Sequence, residues 1–149
     1  MPGGAIAVAS DHAGFDLKEI LKRDLQEAGH EVLDLGTDST QSVDYPDFGQ
    51  AMADAIASGR ASRGVLVCGT GIGISIAANR NAKVRAALVH DVTSARLSRE
   101  HNDANVVAFG QRLIGAETAR EALRAFLATA FEGGRHAGRV AKLSKGSSI

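Results

Sequence analysis

The chain has 149 residues, 44% of them hydrophobic and 23% charged, with Lys plus Arg and Asp plus Glu equal at 17 each. That length suits one soluble domain spanning 1–149, with a core large enough to need neither disulfides nor a structural metal. The cancelling charge and the scarcity of aromatics (4%, no Trp) exclude nucleic acid and anionic membranes as expected partners, and the single cysteine excludes a disulfide framework or a Cys-rich zinc site.

Met1-Pro2-Gly3-Gly4 has no basic segment followed by an apolar one, so no signal peptide is expected, and no apolar run is long enough to cross a bilayer. A lone cysteine in such a chain suits a cytoplasmic location. Ala5 to Ala9 reads as a buried strand. Leu17, Ile20, Leu21, Leu25 and Ala28 follow at helical spacing, stopped by Gly29. Val32 to Leu35 is a second strand. Pro46 opens a helix carrying Phe48, Ala51, Met52, Ala55 and Ile56, with Gly59 as its stop. Val65 to Cys68 is a third strand, and Ile72 to Arg80 an apolar helix. Val84 to Val89 is a fourth strand, followed by a short helix over 93–99. Val106 to Phe109 is the fifth. Ala119, Ala122, Leu123, Phe126, Leu127 and Ala130 mark a long helix, and His136 to Leu143 suits one more. Residues 145–149 are expected to be a disordered tail.

Apolar strands alternating with helices predict an α/β fold: a three-layer αβα sandwich around a five-stranded parallel sheet, Rossmann-like, with right-handed crossovers. Ligands of such folds sit beyond the carboxyl ends of the strands. The segments there are Ser10-Asp11-His12, Gly36-Thr37-Asp38, Gly69-Thr70-Gly71-Ile72-Gly73, His90-Asp91 and Gly110-Gln111-Arg112. Reactive residue types therefore gather on one rim.

The glycine-rich segment is G-x-G-x-G. It is neither the dinucleotide fingerprint nor a P-loop. It suits an anionic group or an enediolate held by backbone N–H groups, or simply a tight strand–helix turn. Cys68 is either a small buried hydrophobe or a thiolate activated by the N–H groups that follow it. His101, in a polar connection before the fifth strand, is an acid–base candidate or a solvated loop histidine. Asp11 can cap the first helix, Thr70 can relay a proton or brace its turn, and Tyr45 in Asp44-Tyr45-Pro46 can line a pocket. Arg135, His136 and Arg139 form a basic cluster after Gly133-Gly134, of the kind that grips phosphate. The five histidines contain no helical metal-ligand pair, so no metal is expected.

Ser10-Asp11-His12-Ala13-Gly14-Phe15, Asp44-Tyr45-Pro46, the run from Cys68 to Asn79, Ser98-Arg99-Glu100-His101-Asn102-Asp103, Asn105 to Gly110 and Glu132-Gly133-Gly134-Arg135-His136 together resemble the type B ribose-5-phosphate isomerases and their galactose-6-phosphate isomerase relatives. The motifs run in order over nearly the whole chain. The resemblance implies a base at Cys68 that moves a proton between C1 and C2 of a phosphorylated sugar. It implies ring opening by His101, assisted by Asp11 and Thr70. Gly69, Gly71, Gly73 and Asn102 would stabilise the enediolate, and His12, Arg112, Arg135 and Arg139 would hold the phosphate. Ile74 stands where one branch of the family has a glutamate base, so the chain resembles the cysteine branch. The resemblance also implies a homodimer or homotetramer with composite sites, and no cofactor.

Isomerisation requires a base, a proton relay and charge stabilisation, and neither redox cofactor nor metal. The reading is an aldose–ketose isomerase of the pentose phosphate pathway, acting on ribose 5-phosphate. Erythrose 4-phosphate, allose 6-phosphate or galactose 6-phosphate chemistry, a catalytically silent sugar-phosphate-binding subunit and a nucleotide-binding module are the alternatives.

Overall fold

The computed structural model describes residues 4–145. Residues 146–149, where most of the expected tail falls, lie outside the described residues. Five strands form one parallel sheet: β1 (Ala5–Ser10), β2 (Val32–Asp34), β3 (Ala61–Cys68), β4 (Ala86–Leu88) and β5 (Val106–Gly110), in the order β2-β1-β3-β5-β4. Six helices accompany them: α1 (Phe15–Glu27), α2 (Tyr45–Ala57), α3 (Ile72–Ala78), α4 (Val92–Asn102), α5 (Ala116–Ala128) and α6 (Arg135–Lys145).

Strand side chains alternate between two cores, as the period of two requires. Ile6, Val8, Val65, Val67, Val107 and Phe109 pack against Leu17, Leu21 and Leu25 of α1, Ala95 of α4, and Leu123 and Phe126 of α5. Ala7, Ala9, Leu66, Cys68, Val106 and Ala108 face Met52, Ala53 and Ala55 of α2 and Ile74 and Ala78 of α3. Val8, Leu66 and Phe109 are fully buried, and each such side chain contributes about 1.5–3 kcal/mol. The helix layers follow chain direction. Moves from β1 to β2 and from β4 to β5 cross on the α1/α4 face, and moves from β2 to β3 and from β3 to β4 cross on the α2/α3 face, which gives every crossover one hand.

This order puts a crevice on each side of β3. The chain leaves β1 and β5 toward one face of the sheet and leaves β3 toward the other, so the connections diverge at the carboxyl end of β3, where ligands enter such sheets. Gly14 lets the 3-10 turn His12–Gly14 press onto β3, because a Cβ there would run into the carbonyl of Val67.

Several boundaries differ from the sequence reading. β3 starts four residues earlier than expected, at Ala61, and β4 shrinks to Ala86–Leu88. The helix expected over 93–99 extends to Asn102, so His101 and Asn102 occupy its last turn and not a polar connection. The extension is held at both ends: the Asp91 carboxylate caps the Ser94 N–H at 2.6 Å, and Asp103 stops the helix in the left-handed region at φ 48°. Lys145, expected in the tail, is the last residue of α6.

Sequence reading also missed a buried cation. Lys18 is 1% exposed, and its ammonium donates to both carboxylate oxygens of Asp34 at 2.8 and 3.0 Å. Lys22 donates to Asp34 at 2.9 Å, and the Asp34 carboxylate also accepts the Gly36 N–H at 2.9 Å. This network fixes the turn after β2 beside the carboxyl rim.

Candidate active site

Cys68 is the last residue of β3, buried at 4% exposure. Its Sγ accepts the Gly71 N–H at 3.1 Å, a contact that strengthens when the sulfur is anionic. Gly71 makes the turn possible. Its φ is +77°, and a Cβ there would press on Leu88 and the Phe109 carbonyl. Thr70 is exposed, and its Oγ1 accepts the Ile72 N–H at 3.2 Å. The turn after β5 is tied to the same place, because the Gln111 and Arg112 amides donate to the Cys68 and Gly69 carbonyls at 3.0 Å each. The Arg112 guanidinium therefore lies over Gly69, where a Cβ would sit 3.2 Å from its Nη1. The Tyr45 ring packs against the Gly73 backbone so closely that no Cβ would fit.

Across the β1–β3 crevice, Asp11 caps the 3-10 turn. Its Oδ1 accepts the N–H groups of Ala13 at 3.0 Å and Gly14 at 3.1 Å. His12 Nδ1 accepts the Val43 N–H at 3.1 Å, which leaves the Nε2 edge of the ring to act as a donor. The structure thus brings together Cys68, Gly69, Thr70, Gly71, Gly73, Asp11, His12, Tyr45 and Arg112 at the carboxyl rim.

It does not bring the remaining nominated residues there. His101 and Asn102, on the last turn of α4, share a separate cleft of about 280 Å³ with His136, Arg139, Val140 and Leu143. Arg135 opens α6 beside it. The α4 helix runs back along the sheet and hands the chain to the start of β5, whereas Cys68 pairs with Gly110 at the end of β5. Val106 to Gly110 alone spans about 13 Å at ~3.3 Å per residue. The carboxyl rim therefore holds nine of the thirteen nominated residues, and His101, Asn102, Arg135 and Arg139 stand elsewhere.

The second cluster is firmly held. The Arg99 guanidinium, nearly buried, donates to Asp103 Oδ1 at 2.8 Å and to the carbonyls of Ala104 at 2.7 Å and Thr129 at 3.1 Å. The Glu132 amide donates to the Glu100 carbonyl at 3.1 Å. These bonds lock the end of α4 to the approach to α6 and stack His101 on His136, with ring centroids 4.4 Å apart and planes 15° from parallel. His136 is 6% exposed. Burial, the Arg135 guanidinium and His101 hold its imidazole below the ordinary value, with Glu132 opposing them. A larger cleft of about 560 Å³ lies between α1 and α5, but none of the nominated residues lines it.

A family model for Ribose/Galactose Isomerase matches residues 6–143. The chain belongs to that family. Among the isomerases it resembles, ribose-5-phosphate isomerase B of Escherichia coli (strain K12) is 49% identical over 135 residues, 91% of each chain. D-erythrulose-4-phosphate isomerase of Pectobacterium atrosepticum is 44% identical over 140 residues, 93% of this chain and 92% of that one. The crystal structure of a ribose 5-phosphate isomerase from Thermotoga maritima superposes with a TM-score of 0.94 at 49% identity, covering 97% of this chain and 99% of that one. The five-stranded parallel α/β fold expected from the sequence is thus the fold of this isomerase family.

Within this ribose/galactose isomerase fold, sequence reasoning missed two members of the second cluster. His136 counted there only as part of a basic run, and Glu132 only as a motif letter. The available signal was their spacing of four across Gly133-Gly134, which sets Glu132 Oε1 3.6 Å from His136 Nε2.

Proposed function

We propose that the chain is an aldose–ketose isomerase that interconverts ribose 5-phosphate and ribulose 5-phosphate, in sites that two copies of the chain complete together. The observation that carries the chemistry is the Cys68 sulfur, seated at a strand end where the glycine-rich turn begins, with the Gly71 N–H directed at it. A base adjoining a backbone anion site is what an enediolate needs.

His101 carries ring opening. The O1 hydroxyl loses a proton, the ring oxygen gains one, and the C1–O4 bond breaks to give the open aldehyde. The Cys68 thiolate then removes the C2 proton, and the electron pair flows to O1 through a new C1–C2 double bond. Backbone N–H groups of Gly69, Gly71 and Gly73 and the Asn102 amide stabilise the resulting enediolate. The thiol returns its proton to C1, O1 gains a proton and O2 loses one, which leaves the ketone at C2. No electrons leave the substrate. Thr70 and Asp11 assist the proton movements, Tyr45 closes one wall of the pocket, and His12, Arg112, Arg135 and Arg139 hold the phosphate.

Both halves of this machinery are needed within contact distance of one sugar, yet they lie at opposite ends of β5 in one chain. A symmetric pair that sets the carboxyl rim of one copy against the α4–α6 cluster of the other supplies two whole sites. Exposed apolar side chains border both halves. Tyr45, Ile72 and Ile76 are 42%, 48% and 57% exposed near the glycine-rich turn, and Leu143 is 58% exposed at the His101 cleft. Such surface suits a protein–protein contact. No helix among the described residues is long and apolar enough to cross a membrane. A site built on a free thiol suits the reducing cytoplasm.

The test is a coupled isomerase assay of chelator-treated protein on ribose 5-phosphate, erythrose 4-phosphate, allose 6-phosphate and galactose 6-phosphate. The reading expects the highest kcat/KM on ribose 5-phosphate. Turnover of none of the four, or a clear preference for the tetrose, refutes it.

A further inference from the structure

The His101 cleft holds two groups, Glu132 and His136, to which the proposed isomerisation gives no part. Glu132, His101 and His136 come from the α5–α6 connection, the last turn of α4 and the first turn of α6, and one ligand atom from each lies within 4.8 Å of the other two. His136 is 94% buried by its 6% exposure, and its Nε2 has no hydrogen-bond partner. That atom lies 3.6 Å from Glu132 Oε1, too far for a hydrogen bond. A buried ring nitrogen without a partner, beside a carboxylate and a second imidazole, is an arrangement in which an ion satisfies all three groups at once.

We propose that His101, Glu132 and His136 form an inhibitory site for an imidazole-seeking divalent ion, Zn²⁺ foremost. Two imidazoles and one carboxylate leave a fourth tetrahedral position for water. Tetrahedral Zn²⁺ with bonds of about 2.0–2.2 Å needs ligand atoms closer than they stand here and ring planes that converge on one ion, so binding swings the Glu132 side chain inward and turns the half-buried His101 ring out of its stack on His136. The Glu132 side chain is exposed, and Gly133 and Gly134 follow it with φ values of +67° and +55° before α6 begins. Arg139 lines the cleft and Arg135 lies beside it, so the local field opposes cations. Hard ions such as Mg²⁺, which gain little from imidazole, are excluded. Ions high in the Irving–Williams order overcome that field through nitrogen bonds.

Inhibition rests on the isomerase reading. An ion on His101 occupies the nitrogen lone pair that ring opening needs and fills the cleft where the partner's substrate would sit. Binding itself is independent of that reading and is measured separately.

The experiment titrates chelator-treated, full-length protein with ZnCl₂ by calorimetry in a phosphate-free buffer, with CoCl₂ as the spectroscopic probe. One ion per chain and a Co²⁺ absorption of tetrahedral intensity are expected. Glu132→Gln and His136→Asn should each weaken binding by at least about tenfold, the scale on which even outer-shell metal partners act. Glu132→Gln should keep its basal isomerase activity and lose the zinc inhibition. MgCl₂ should give no binding. Absence of Zn²⁺ binding, or affinity unchanged in both variants, overturns the proposal. Binding lost instead in Cys68→Ala assigns the ion to the thiolate and also overturns it. If Zn²⁺ binds as described but the chelator-treated, metal-free protein turns over no sugar phosphate, the metal site stands and the isomerase reading fails.

Discussion

Mixing two inactive variants tests the composite site. Cys68→Ala removes the base at the end of β3 and leaves the α4–α6 cluster whole, and His101→Ala does the reverse. The two positions lie at opposite ends of β5, about 13 Å apart along that strand alone, whereas proton transfer requires contact near 3 Å. If one chain's Cys68 works with the other chain's His101, a dimer of one variant with the other carries one site with both residues and one with neither. Free exchange at equal concentration makes half the dimers mixed, so the mixture should recover roughly a quarter of wild-type turnover, from one intact site in every four. The assay is ribulose 5-phosphate formation from the cyclic substrate after co-incubation, with exchange verified by mass spectrometry of tagged chains. Dilution below the dimer dissociation constant should abolish the recovered activity. Verified exchange without recovery refutes the argument, because His101 then serves no partner's site.

Three further outcomes follow from the same geometry. Cys68→Ala should abolish turnover while leaving affinity for a phosphate-bearing inhibitor nearly unchanged, and Cys68→Ser should be almost as poor because serine's hydroxyl is far harder to deprotonate; near-normal turnover in Cys68→Ala would make another group the base. Arg139→Ala should weaken sugar-phosphate binding by about 1.5–3 kcal/mol, read as a raised KM, with little effect on an unphosphorylated sugar; equal losses on both indicate a folding defect. Burial alone would raise the Asp34 carboxyl, but hydrogen bonds from Lys18 and Lys22 and the Gly36 N–H outweigh it and hold the group below its ordinary value of 3.8. The stability this confers is full above the unfolded-state value and disappears as pH falls through the lower folded-state one, so urea midpoints measured from pH 5 to 2 should fall more steeply for wild type than for Asp34→Asn. Asp34→Asn should itself cost about 1.5–3 kcal/mol at neutral pH, and parallel acid curves would show that the pair is not the cause.

The parts of the fold legible in the sequence were those set by local periodicity. Apolar strands, glycine stops and Pro46 at a helix start each depend on a few neighbouring residues, and each appears where expected. Boundaries shifted where a distant or unusual interaction decided them. α4 runs on to Asn102 because Asp103 accepts a left-handed conformation and Arg99 and Arg85 hold it there, which no window of hydrophobicity registers. Lys18 falls outside the apolar periodicity that marks α1. It is buried because Asp34, sixteen residues on, meets it across the β2 edge. For the site, the strand-end rule located Cys68, Thr70, Asp11, His12 and Arg112 from sequence alone. It gave no information on His101, which precedes a strand and does not follow one.

That distinction is the physical argument for the proposed composite site. A parallel sheet offers its open crevices and free N–H groups at one end only, so a base and an anion-binding turn form there in a single chain. Groups needed on the opposite side of the sugar have no sheet edge to stand on and must come from another element. Here they stand on the end of α4 and the start of α6, pinned by Arg99 at the amino end of β5, where they face away from their own chain's Cys68. In the proposed dimer, each such cluster would lie over the other copy's crevice. The division also separates two steps of the reaction. On the proposed reading, ring opening depends on the α4–α6 cluster and proton transfer between C1 and C2 on the β3 turn. Loss of His101 should therefore slow a furanose far more than an open-chain tetrose phosphate, whereas loss of Cys68 should halt both.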